Sequence, residues 1–195
     1  MPRTKVDVRR AHSGRAGFSI VELMVVVAIV GVLAAVGISL LRQYVVSSKS
    51  GEAVTVVQAI RAAQERFRAE NQVYLDVSRG DLTRYYPTDG EPGNERYNWE
   101  QPDHDEYPGW QRLAVPVTIP VRFGYATVAG GVGDGLPLLA TARDAPWNAG
   151  TRVVEPWYVI QARGDPDEDG TFTFLVATSF TGELYQEDGD VEAAE

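Results

Sequence analysis

The chain has 195 residues, 18 of them basic and 27 acidic, for a formal net charge of −9. It contains no cysteine, which excludes a disulfide framework and the Cys-based zinc sites. An acidic balance of this size repels phosphate backbones, so the main body is not expected to bind nucleic acid.

Residues 1–17 are basic and polar. They carry Arg3, Lys5, Arg9, Arg10 and Arg15 against Asp7, and end in Ala16-Gly17. Residues 18–41 are apolar apart from Ser19, Ser39 and one charged side chain, Glu22. Twenty-four residues at a ~1.5 Å rise give a helix of about 36 Å, enough for a hydrocarbon core of about 30 Å. Such a helix carries membrane lipid as its expected surroundings. A carboxylate in it costs roughly 2.5–3.5 kcal/mol at the bilayer centre and less near the interface. Gly31 and Ala35 form a small-xxx-small pair that lets helices approach closely in lipid. Five positive residues before the span predict a cytoplasmic N-terminus and an exported remainder. A secretory signal is cut after its apolar region. Here the small-residue site, Gly17, comes before it, so cleavage there leaves the apolar helix on the mature protein.

Gly17-Phe18-Ser19-Ile20-Val21-Glu22 resembles the prepilin peptidase site of type IV pilins and type II secretion pseudopilins. The resemblance rests on a basic leader, a Gly-Phe junction and a glutamate inside an apolar run, about a tenth of the chain. It implies cleavage between Gly17 and Phe18 by a prepilin peptidase and N-methylation of Phe18. It assigns Glu22 to assembly, against the terminal amine of a neighbouring subunit. The implied partners are other pilin subunits and an inner-membrane assembly machinery. The implied location is the bacterial inner membrane for the precursor and a filament for the mature form. Family helices often carry a proline where this chain has Ser39, a departure that favours a minor pilin or pseudopilin over a major pilin. The competing expectation is a single-pass, membrane-anchored binding or enzymatic domain that keeps its leader and does not polymerise.

Residues 42–72 continue the helix in amphipathic form. Val46, Ala53, Val57, Ile60, Phe67 and Tyr74 recur on one stripe among charged residues. One helix is expected from about Phe18 to about Asn71. The weak helix formers Ser47 to Gly51 supply the alternative, two helices with a break. Residues 73–120 are dense in turn residues and read as an irregular connection. Their Tyr and Trp side chains are expected to form local core, with a binding surface as the other reading.

Residues 121–188 read as an antiparallel sheet joined by short connections. Its strands fall at Val121–Val128, Trp157–Ala162, Thr171–Thr178 and Glu183–Gln186, and one apolar face is expected to cover the helix. The Gly-rich break from Gly130 to Gly135 lacks the Lys-Ser/Thr ending of a phosphate loop. Residues 189–195 form an acidic tail. The fold class is α+β: a long N-terminal helix packed on a C-terminal antiparallel sheet.

Five basic residues and one acid lie before Phe18, leaving 13 and 26 beyond it, a side-chain net of −13. His104 is the only histidine past residue 17 and sits in the least regular stretch, so a catalytic triad is not expected. The one patterned cluster is Asp165-Pro166-Asp167-Glu168-Asp169-Gly170. Asp165, Asp167 and Asp169 gather hard oxygen ligands at a tight turn, as calcium requires. The EF-hand loop needs a glutamate at its twelfth position and Val176 stands there, so the full motif fails. The other reading is an Asp/Gly hairpin turn that holds no ion; if calcium is bound it would stand in for the missing disulfide, and no other cofactor is expected.

Overall fold

The computed structural model describes residues 18–88, 92–93, 95–137, 139 and 151–188. The leader with Gly17 and the acidic tail 189–195 lie outside the described residues. The chain divides into two units, Met1–Gln43 and Tyr44–Glu195.

Helix α1 covers Ile20–Asn71, 52 residues, and belongs to both units. It runs unbroken through Ser47–Gly51. Intrinsic propensity is a weak prior that tertiary contacts override, and here Ser50 is buried and Lys49 is anchored by a hydrogen bond from Nζ to the Pro166 carbonyl at 2.6 Å. The helix ends where Gln72 turns left-handed, φ 64°, and its N–H returns to the Arg68 carbonyl at 2.8 Å. This is an αL cap made without glycine.

In the second unit, α1 buries Ala53, Val56, Val57, Ile60, Ala63 and Phe67. Thr55, Gln58, Ala62 and Glu65 stay exposed between them. The spacing of three and four is that of a helix with one core-facing stripe. Across it lies a four-stranded antiparallel sheet: β1 Gly124–Gly130, β2 Trp157–Gly164, β3 Thr173–Thr178 and β4 Leu184–Asp188, in the order β1-β2-β3-β4. The register places Tyr125 opposite Ala162 and Ala162 opposite Leu175. Tyr125, Tyr158, Ile160, Ala162, Leu175 and Ala177 share the face that packs on the α1 stripe.

The opposite face is buried as well. Ala126, Val128, Trp157, Val159 and Val176 pack under Leu82, Tyr85 and Leu136. One covered face was expected. The unbroken apolar run Trp157-Tyr158-Val159-Ile160 is the sequence sign of a strand buried on both sides. The short connections also need correction at one place. Residues 131–156 join β1 to β2, and among the described ones Gly133 N–H meets Val153 O and Leu136 N–H meets Thr151 O, each at 3.0 Å. The two strands thus extend into an arm beyond their main pairing.

The stretch 73–120 is held by backbone pairing and aromatic packing. Val77 and Ser78 donate to the Thr127 carbonyl, and Tyr86 exchanges both backbone hydrogen bonds with Tyr125. These contacts cover the outer edge of β1. A short helix, α2 (Tyr107–Leu113), sits within the same stretch. Trp99, Trp110, Tyr86 and Tyr125 are buried in one cluster of edge-on and stacked rings, with the Tyr86 hydroxyl donating to the Trp99 carbonyl. Their rings are core, so they do not form an exposed binding platform.

In a chain without disulfides, α1 also holds the loops by its charged side chains. Arg66 donates to the Leu113 and Ala114 carbonyls at the C-terminus of α2, both at 2.8 Å. Arg61 reaches the Thr181 carbonyl at 3.3 Å, and Glu52 pairs with Arg122 at 2.8 Å.

Candidate functional site

Two places carry the residues singled out by the sequence. The first is the start of α1. Phe18 is exposed, and Ser19 is the last residue before the helix. Its carbonyl accepts the first intrahelical bond, from Leu23 N–H at 3.1 Å, and its Oγ accepts from Val21 N–H at 3.3 Å. Ser19 is therefore the N-cap, which satisfies one of the otherwise unpaired N–H groups of the first turn. Glu22 lies in that turn, where the helix dipole favours a negative charge.

From Ile20 to Ile38 the helix is apolar and long enough to cross a membrane, with mean hydropathy 2.7. None of this stretch is buried inside the chain. A soluble surface rarely exposes so large a contiguous apolar patch. Gly31 and Ala35 are both exposed and lie one turn apart on the same face. A side chain added at Gly31 would meet nothing within 4 Å inside the chain. Whatever Gly31 makes room for is not part of the described residues.

Residues 12–38 match the family model described as the prokaryotic N-terminal methylation motif. The type IV major pilin protein PilA of Myxococcus xanthus (strain DK1622) is similar, 39% identical over 71 residues. The N-terminal segment of the chain is that of the type IV pilin family. The match covers 36% of this chain and 32% of PilA. Two fimbrial proteins of Pseudomonas aeruginosa are each 35% identical over 69 residues, 35% of this chain and 45% of the relative. The chain thus spans about a third to under half of the length of these relatives. No solved structure matches it significantly.

The second place is the hairpin between β2 and β3. Each of Asp165, Asp167 and Asp169 offers one carboxylate oxygen, and the three lie within 4.8 Å of one another. Asp165 is buried, while Asp167 and Asp169 are exposed. Burial of its surroundings and the neighbouring Asp169 raise the Asp167 carboxyl above the usual carboxylate range. Both Asp165 oxygens are already engaged: Oδ1 accepts from Glu168 N–H at 2.7 Å and Oδ2 from Gly170 N–H at 3.1 Å. Asp169 Oδ1 accepts from Thr171 N–H at 2.7 Å. The cluster is a self-bonded turn, with Glu168 at φ 60° and Gly170 at φ 87° completing it. The donor set is the hard, anionic kind that suits calcium.

His104 lies in neither place. Its Nδ1 accepts from Glu106 N–H at 3.1 Å, and its ring packs edge-on against Tyr86 at 5.0 Å. Glu106 is buried and paired with Arg84, whose Nε donates to it at 2.6 Å. Sequence reasoning did not single out Lys49, Arg61, Arg66 or Gln64. One signal was available for Lys49: it is the only lysine beyond the leader.

Proposed function

We propose that this pilin is a structural subunit of a type IV pilus-like filament, closer to a minor pilin or a pseudopilin than to a major pilin. A prepilin peptidase cuts between Gly17 and Phe18 and the new Phe18 amine is methylated. The precursor sits in the inner membrane with residues 1–17 cytoplasmic and the unit Tyr44–Glu195 periplasmic. An inner-membrane assembly machinery then transfers it into a filament whose core is built from these helices. The role is structural, not enzymatic.

One observation carries the reading: the 19 residues Ile20–Ile38 have no cover of their own. Each large apolar side chain gains about 1.5–3 kcal/mol on full burial. The segment therefore needs lipid first and neighbouring helices later, and the methylation motif overlies it. Glu22 fits the same scheme. An unpaired carboxylate among apolar neighbours is costly, and an amine from the next subunit reduces that cost. The continuous helix through Ser39 supports the minor-pilin or pseudopilin side of the proposal.

Mass spectrometry of the mature protein tests the processing. An N-terminal methyl-Phe18 is expected, and a mass that begins at Met1 points instead to a non-polymerising, membrane-anchored domain. Sheared surface filaments should contain the protein at low abundance relative to the principal subunit. Glu22→Val should be processed normally and fail to enter filaments; normal incorporation defeats the pairing account.

A further inference from the structure

We propose that Lys49, seated on the Pro166 carbonyl, latches the Asp165–Gly170 hairpin and so holds the C-terminal strands on α1 without a metal ion. The proposal is independent of filament assembly.

Beyond the leader the chain has 12 arginines and one lysine. The difference matters chemically. A guanidinium is a planar fork that suits paired acceptors, and Arg66 uses it that way on the Leu113 and Ala114 carbonyls. An ammonium is a compact point charge that can seat on one carbonyl. Lys49 does this, with Nζ 2.6 Å from the Pro166 oxygen in a half-buried setting.

The hairpin is arranged to receive it. Asp165 spends both carboxylate oxygens on the turn's own N–H groups. The Asp165 N–H donates to the Pro92 carbonyl at 3.0 Å, which ties a third, distant segment to the same point. The Lys49 ammonium seats on the Pro166 carbonyl, within the turn whose three aspartates lie within 4.8 Å of one another, and a hydrogen bond given by a charged group is the stronger kind.

The latch is testable on the full-length protein in detergent micelles. An amine-reactive reagent is applied and the Lys49 peptide is followed by mass spectrometry, in EDTA and in millimolar calcium. Modification should run about tenfold or more slower than in the urea-unfolded chain, the factor that a hydrogen bond to a charged group corresponds to. The rate should be the same with and without calcium. Lys49→Met should speed endoproteinase Asp-N cleavage within the hairpin several-fold while α1 keeps its helical circular dichroism. Modification of Lys49 at the unfolded rate overturns the latch. So does unchanged cleavage in Lys49→Met, and so does a labelling rate that calcium alters.

Discussion

Gln64 and Thr127 hydrogen-bond across the interface between α1 and β1, Nε2 to Oγ1 at 3.1 Å, with both side chains fully buried. The same amide donates to the Leu75 carbonyl at 2.8 Å and accepts from the Leu75 N–H at 3.0 Å. One side chain thus fixes the helix, the chain that leaves it and the first strand. Gln64→Ala leaves one buried and two part-buried polar groups without this partner, each worth up to about 1–3 kcal/mol when orphaned. Destabilisation of roughly 3–5 kcal/mol is expected, large enough to need a named mechanism of this kind. Urea unfolding measures it, and a loss under 1 kcal/mol (small beside those terms) would show that the amide is dispensable.

The buried tyrosines set the alkaline limit of the fold. Burial pushes the Tyr85, Tyr86 and Tyr158 hydroxyls up to about 12, against about 10 in the unfolded chain. Their folded values lie above the unfolded ones, so their contribution is fully present below pH ~10 and is lost as pH rises towards ~12. The urea midpoint should be flat from neutral pH to about pH 9 and fall steeply above pH ~10. Tyr85→Phe should flatten that fall, at the cost of the Gln161 Nε2 bond to the Tyr85 hydroxyl (2.6 Å).

Asp167 works in the same sense, in the acid range. Its folded carboxyl is raised, by desolvation first and by Asp169 next. Its ionised form is therefore penalised in the fold above the folded value, and the penalty vanishes below the unfolded value of about 3.9. In EDTA, Asp167→Asn should raise the thermal midpoint at neutral pH, and the gain should disappear on acidification. The same pair of proteins tests calcium. Millimolar calcium should leave both midpoints where they stand in EDTA; a rise in the parent chain that the variant lacks would show an ion at Asp165, Asp167 and Asp169.

Gly164 closes β2 against an aromatic ring. A Cβ placed there would come within 2.7 Å of the Phe123 ring, and both residues are buried. Overpacking of this kind costs about 1–3 kcal/mol. Gly164→Ala should lower the urea midpoint accordingly, and Phe123→Leu in the same chain should recover part of the loss. Equal stability of Gly164→Ala and the parent would mean the ring moves freely aside.

The long helix and the strands were legible because their cause is local. An apolar run of 24 residues and the stripe from Ala53 to Phe67 each announce a helix by spacing alone. Trp157 to Ala162 announces a strand in the same way. The second covered face was written in that run too, but the cover comes from Leu82, Tyr85 and Leu136, and no periodicity joins those residues to β2. The three aspartates were legible as a cluster through their alternate spacing. The engagement of both Asp165 oxygens by backbone N–H groups was not, because it depends on how the turn closes. The burial of Trp99 and Trp110 was expected as local core, but not their pairing, because they lie among turn residues and find each other only through α2 and Tyr86.

The grip of Lys49, Arg61 and Arg66 on loop carbonyls has a consequence for where this molecule can live. A bond between sulfurs forms or breaks with the electron supply of its surroundings. A cation resting on a carbonyl oxygen does not. The C-terminal unit therefore keeps one shape as its environment passes from oxidising to reducing, with no enzyme needed to join or repair its loops.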